Sequence, residues 1–194
     1  MKDMIAHYNP FSQALHWGMA LVIVGMLASG LLMEDLQPLA LKFQVIQMHK
    51  SFGLLVLWLV IVRLLWRFTT PAPMLPAGTP LWQKLVAHGT HALLYVLMVG
   101  LPLSGWLMSD AKGYHPNFFG LNVPVLMAEP NKELGHLLGE MHEIGAFVMM
   151  GLLALHIGAA VMHRIKKDGI AERMLPARRA KDKDDGCCGC GCKH

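Results

Sequence analysis

The chain has 194 residues, of which 54% are hydrophobic and only 15% charged, with a formal net charge of +4. Soluble domains average nearer a quarter charged, so this composition excludes an ordinary water-soluble enzyme, a disordered chain and a collagen-like repeat. A mean hydropathy of +0.41 at one-domain length means that the apolar residues lie in blocks too long for a small globule to bury.

The first block, residues 14–33, is uncharged and, at a rise of about 1.5 Å per residue, crosses the roughly 30 Å hydrocarbon core of a bilayer. Its approach, Met1–Lys2–Asp3, lacks the net basic charge of a signal peptide, so the block reads as a span. A second span covers 46–66, with Arg63 the one charge in the run from Ser51 to Trp66; a third covers 85–109 and a fourth 142–163. Lipid offers a backbone no hydrogen bonds, so each span must satisfy its own amides as a helix. The expectation is an all-α integral membrane protein, a bundle of four transmembrane helices.

The connection between the first two spans is short, and the next carries a Pro-rich stretch, Thr70 to Pro76. The third, from Asp110 to Glu143, is long enough to form a lid. Lys42, Lys50, Lys112 and Lys132 fall on one side of the bundle and the other thirteen basic residues on the side holding both termini. Glu34, Asp35, Asp110, Glu129, Glu133, Glu140 and Glu143 gather on the first side. This asymmetry predicts that both termini are inside and reads the basic excess as topology, with no nucleic-acid partner.

After a basic stop at Arg164–Ile165–Lys166–Lys167, residues 177–194 form a charged tail expected to be disordered. It holds all four cysteines, Cys187, Cys188, Cys190 and Cys192. Clustered thiols in a reducing compartment are candidates for a soft metal, although adjacent Cys187 and Cys188 depart from the paired CxxC of structural zinc sites; a flexible reduced tail is the alternative.

Imidazoles within spans are expensive and face the bundle interior, which makes each a functional candidate. His16 lies near the inner end of helix one, His49 at the outer start of helix two, His88 and His91 near the inner start of helix three, and His142 and His156 on helix four. The last two are fourteen residues apart, so they share a helix face to within about 40° and differ in depth by about 21 Å. His49 matches the depth of His142 and His16 that of His156, giving two pairs drawn from different helices. Each pair suits the two axial positions of a flat iron macrocycle, in a low-spin centre that carries one electron at a time. Gly25, Gly30, Gly53, Gly100, Gly105, Gly145, Gly151 and Gly158 either make room for such a group or permit close helix packing. No nucleophile elbow or phosphate loop occurs, and no catalytic residue is assigned.

The sequence resembles the bacterial cytochrome b561 family in Gln13–Ala14–Leu15–His16–Trp17, Gln47–Met48–His49–Lys50–Ser51–Phe52–Gly53 and Val62–Arg63–Leu64–Leu65–Trp66–Arg67. The likeness continues in Ala87–His88–Gly89–Thr90–His91, Leu101–Pro102–Leu103–Ser104–Gly105, Met141–His142–Glu143 and Leu155–His156, so that residues 1–176 form one cytochrome domain. The resemblance implies two b-type haems, with His16 and His156 on one iron and His49 and His142 on the other. It also implies a bacterial inner-membrane location, ubiquinone as a redox partner and, in some members, oxidation of superoxide at the outer face.

Within that frame His91, and His163 two turns beyond His156, are candidate quinone contacts near the inner haem. Arg63, a buried guanidinium, suits a haem propionate, or snorkels to the headgroups. Lys50 either serves the outer haem similarly or draws in a small anion; the acidic outer face suits a cationic redox protein at least as well. Two rivals stand beside a quinone-linked oxidoreductase: the cytochrome b subunit of a hydrogenase or dehydrogenase complex, and, from another class, a transition-metal transporter using the histidines and tail cysteines.

Overall fold

The structure, a computed structural model, describes residues 7–70, 78–127 and 129–175. Its frame is four helices, α1 (Pro10–Leu32), α2 (Leu39–Thr69), α3 (Leu81–Ala111) and α4 (Lys132–Lys166), each long and apolar enough to cross a bilayer. Side chains such as Leu21, Trp58, Phe68 and Val96 point outward, as a lipid-facing surface requires. The Pro-rich stretch and the Cys-rich tail lie outside the described residues.

Local chemistry sets the helix starts. Asn9 caps α1, its Oδ1 accepting from Ser12 N at 2.7 Å, and Pro10 fills the first turn, where no amide donor is needed. Asn131 does the same for α4, accepting from Leu134 N at 3.0 Å. That cap lies eleven residues before residue 142, where the expected fourth span starts, so α4 projects beyond the apolar run and the α3–α4 connection, at the end that the loop charges lead us to call outer, narrows to residues 112–131.

A two-stranded antiparallel hairpin stands in that connection, β1 (Asn117–Phe118) on β2 (Leu121–Asn122), with Asn117 opposite Asn122 and Phe118 opposite Leu121. Phe119 and Gly120 turn the corner with φ of 50° and 92°, the paired left-handed geometry that suits a tight hairpin. Ser51 of α2, almost wholly buried, donates to Asn117 O at 3.0 Å and accepts from Phe119 N at 3.2 Å. Asp110 is buried too: its carboxylate accepts from Leu126 N at 2.7 Å and meets His115 Nδ1 at 3.0 Å. The outer connection is thus latched at both ends to the bundle.

Successive helices pack on one another in up-down order, and α4 lies far more closely on α3 than on α1 or α2. Groups on α4 at the margin of its α3 contact therefore reach the interior that α1 and α2 complete. On α2 that interior stripe is His49, Gly53, Val56, Val60 and Arg63, of which Gly53, Val56 and Val60 are buried. On α4 it is His142, Met149, His156 and His163 at seven-residue intervals, with Met149 buried midway between the first two imidazoles.

At the inner end, a 3-10 turn (Ala171–Met174) folds back onto α1. Tyr8 N donates to Arg173 O at 3.0 Å and Trp17 Nε1 to Met174 O at 2.9 Å. Buried Gln13 Nε2 lies 3.0 to 3.2 Å from the carbonyls of Tyr8, Arg173 and Leu175.

Candidate functional site

The outer site is built on α2 and α4. The rings of His49 and His142 face one another with centroids 6.3 Å apart. Each ring is held through Nδ1: His49 against Ser29 Oγ at 2.9 Å, His142 against Leu101 O at 3.0 Å and Ser104 Oγ at 3.1 Å. A carbonyl only accepts, so His142 Nδ1 carries its proton and Nε2 keeps its lone pair for a ligand role. Small residues back both rings. A Cβ built at Gly30 would stand 3.4 Å from His49 Cε1, and one at Gly105 3.2 Å from His142 Cε1.

The inner site repeats the pattern from α1 and α4, with the rings of His16 and His156 6.1 Å apart. A third imidazole, His91 of α3, lies 5.4 Å from His156. Arg63 reaches the same place from α2: its Nε donates to Tyr95 Oη at 3.0 Å, Nη1 to Ser12 O at 3.4 Å, and Nη2 lies 3.5 Å from His16 Nδ1.

This arrangement meets the requirements of an iron macrocycle. Among the described residues no group of three or more His, Cys, Asp or Glu side chains is gathered as a metal site. Two imidazoles facing across a gap satisfy a metal whose other positions are filled in the plane between them. An imidazole nitrogen binds a first-row metal at about 2 Å. Two such bonds plus the ring radii account for separations of 6.1 and 6.3 Å, whereas the 5.4 Å of His91 from His156 is a ring-to-ring contact. Two buried polar atoms near the outer end lack partners among the described residues: Gln47 Oε1, two residues before His49, and Trp106 Nε1, beside Gly105. An indole N–H of this kind suits a propionate oxygen.

The structure thus brings together His49 with His142, and His16 with His156, His91 and Arg63. His163, the other candidate quinone contact, occupies the interior stripe of α4 and pairs with Asp168. His88 is exposed and bonds Lys84 O at 2.6 Å, and Lys50 Nζ stands 5.9 Å from the Tyr114 ring centre. The glycines divide. Gly30 and Gly105 abut imidazoles, Gly145 abuts Leu101 in the α3–α4 contact, and a Cβ at Gly25, Gly100, Gly151 or Gly158 would meet no other part of the described residues within 4 Å. Cys187, Cys188, Cys190 and Cys192 lie outside the described residues. Sequence reasoning missed the roles of Ser29, Ser104, Tyr95 and Asp168: the three hydroxyls have partners 20, 38 and 32 residues away and carry no signal of their own in an apolar run, and Asp168 meets His163 only because the chain reverses after α4.

Comparison with known proteins bears on the chain as a whole. The model of the prokaryotic cytochrome b561 family matches residues 7–177. Cytochrome b561 homolog 2 of Escherichia coli K12 is 33% identical over 172 residues, 87% of this chain and 90% of its own length. Cytochrome b561 homolog 1 of the same organism is 33% identical over 132 residues, 68% of this chain and 74% of its own. The probable superoxide oxidase CybB of Yersinia pestis is 29% identical over 175 residues, 89% of this chain and 97% of its own.

Proposed function

The chain belongs to the prokaryotic cytochrome b561 family of membrane electron-transfer proteins, and from that premise we propose that it moves electrons between the two membrane faces through two b-type haems. His16 and His156 hold the inner haem, His49 and His142 the outer one. The observation that carries this reading is the matched spacing of the two facing ring pairs, 6.1 and 6.3 Å, drawn from different helices at two depths. When bound, each haem supplies a reversible one-electron iron centre.

The chain's own groups do the rest. Ser29, Ser104 and the Leu101 carbonyl hold the outer imidazoles by Nδ1, fixing each ring's orientation. Arg63, placed by Tyr95, offers its guanidinium to an inner propionate. Around each site the apolar helices exclude water that would compete for the metal.

Quinone is the inner electron acceptor, with His91 and His163 as its contacts, which makes the protein a quinone-linked oxidoreductase. Likeness to the Yersinia protein favours superoxide as the outer donor. The basic asymmetry of the loops supports a bacterial inner-membrane location with both termini cytoplasmic.

The deciding experiment is a haem count per chain with a reduced-minus-oxidised visible spectrum of detergent-purified protein. Two low-spin b-type haems are expected. Replacing His16, His156, His49 or His142 by Ala, one at a time, leaves about half the haem. Full haem content in all four variants would overturn the assignment.

A further inference from the structure

The inner end of α4 carries a second pairing that the haem reading does not use. His163 lies seven residues beyond His156 on the same stripe, about 10 Å further toward the inner face. Lys167 ends the helix in a left-handed conformation, φ 54°, and Gly169 follows at 81°, so the chain reverses at once. That reversal returns Asp168 to the helix, where its Oδ2 meets His163 Nδ1 at 2.5 Å. Its other oxygen accepts from Ile170 N at 3.1 Å. The His163 side chain is 16% exposed and that of Asp168 33%, so the pair spans the boundary between the bundle and the inner aqueous phase.

Burial pushes the Asp168 carboxyl up, but the hydrogen bonds from His163 and Ile170, with the charges of His163 and Lys166, outweigh it and hold the group below its ordinary value. Of the neighbouring cations, Arg164 is turned to Glu172, at 3.0 Å. An ionised carboxylate on Nδ1 fixes the imidazole with its proton on that nitrogen and leaves Nε2 free to take up and release another.

We propose that Asp168 is the positioning residue of a His163–Asp168 proton-transfer pair, through which the inner aqueous face delivers protons to the quinone reduced there. The inference rests on the quinone reading of the inner site. Reduction of a quinone to a quinol takes up two electrons and two protons. The electrons arrive singly by way of the inner haem. Each proton leaves His163 Nε2 for a quinone oxygen, and His163 is reprotonated from water while Asp168 stays ionised and keeps its bond to Nδ1–H.

Asp168→Asn is the discriminating change. Its amide oxygen still accepts from Ile170 N, preserving the turn, while an amide donor opposite His163 favours the other tautomer. With a short-chain ubiquinone analogue and chemically reduced protein, kcat for haem reoxidation is expected to fall about 10²-fold in this variant, with KM and haem content unchanged and an enlarged solvent deuterium isotope effect. Asp168→Glu restores most of the rate. Independently of turnover, nitrogen-15 NMR of labelled histidine is expected to show His163 protonated at Nδ1 in the wild type and at Nε2 in Asp168→Asn.

Wild-type kcat in Asp168→Asn, with His163→Ala still slow, would overturn the proton pair and leave the quinone site standing. Wild-type reoxidation by both His163→Ala and His91→Ala would overturn the quinone site and this role with it.

Discussion

At Gly105 a single added methyl group separates the uses to which glycine is put in this bundle. Its Cβ would stand 3.2 Å from His142 Cε1 and 3.4 Å from Nδ1, the atom that Leu101 and Ser104 hold. On the two-haem reading, Gly105→Ala is therefore expected to turn the imidazole and lose the outer haem, leaving about one of two per chain by haem quantification. Gly89→Ala, with no atom within 4 Å, is expected to keep both. The histidines themselves were legible in the sequence because helical periodicity alone puts His142 and His156 on one face and rise alone sets their depths. The side chains that aim them were not. Ser29, Ser104 and Tyr95 act across helix interfaces, and nothing in their local sequence separates them from hydroxyls that merely bond their own helix.

Between helices, the same limit explains where the expected boundaries moved. Spans read from apolar runs stop where charge begins, whereas α4 begins at the Asn131 cap and carries Glu133, Lys132 and the His136–Glu140 neighbours beyond the hydrocarbon region. The cap, not hydropathy, is the signal that finds it. The outer connection carries a hairpin that Ser51 holds directly, while Asp110 fastens its flanks at His115 and Leu126. Ser51→Ala strips a donor from Asn117 O and an acceptor from Phe119 N, a loss of about 1–3 kcal/mol confined to the hairpin. Cleavage at Phe118–Leu121 by a soluble protease is expected to quicken at least tenfold, with both haems retained. Unchanged cleavage would show that Asp110 alone fastens the hairpin.

Over the whole molecule, four apolar blocks were enough to give the bundle, because a bilayer leaves helices almost no alternative. Its closure could not be read that way. Gln13 and Arg173, whose contact joins the two ends, are 160 residues apart, and the motif that holds Gln13 gives no sign of its distant partner. A chain stopped after Lys167 lacks the carbonyls that Gln13 and Trp17 donate to. Such a truncation is expected to retain the outer haem and lose most of the inner one, because His16 lies between those two anchors on α1. Full inner-haem content in the truncated chain would show that α1 is held by α2 alone.

This clasp also sets an order of assembly. The helix that opens the bundle is secured by residues made after all four helices, and the outer ring pair is complete once α4 has entered the membrane. The clasp must wait for Arg173 to Leu175, so during synthesis the chain finishes its outer centre before its inner one is closed.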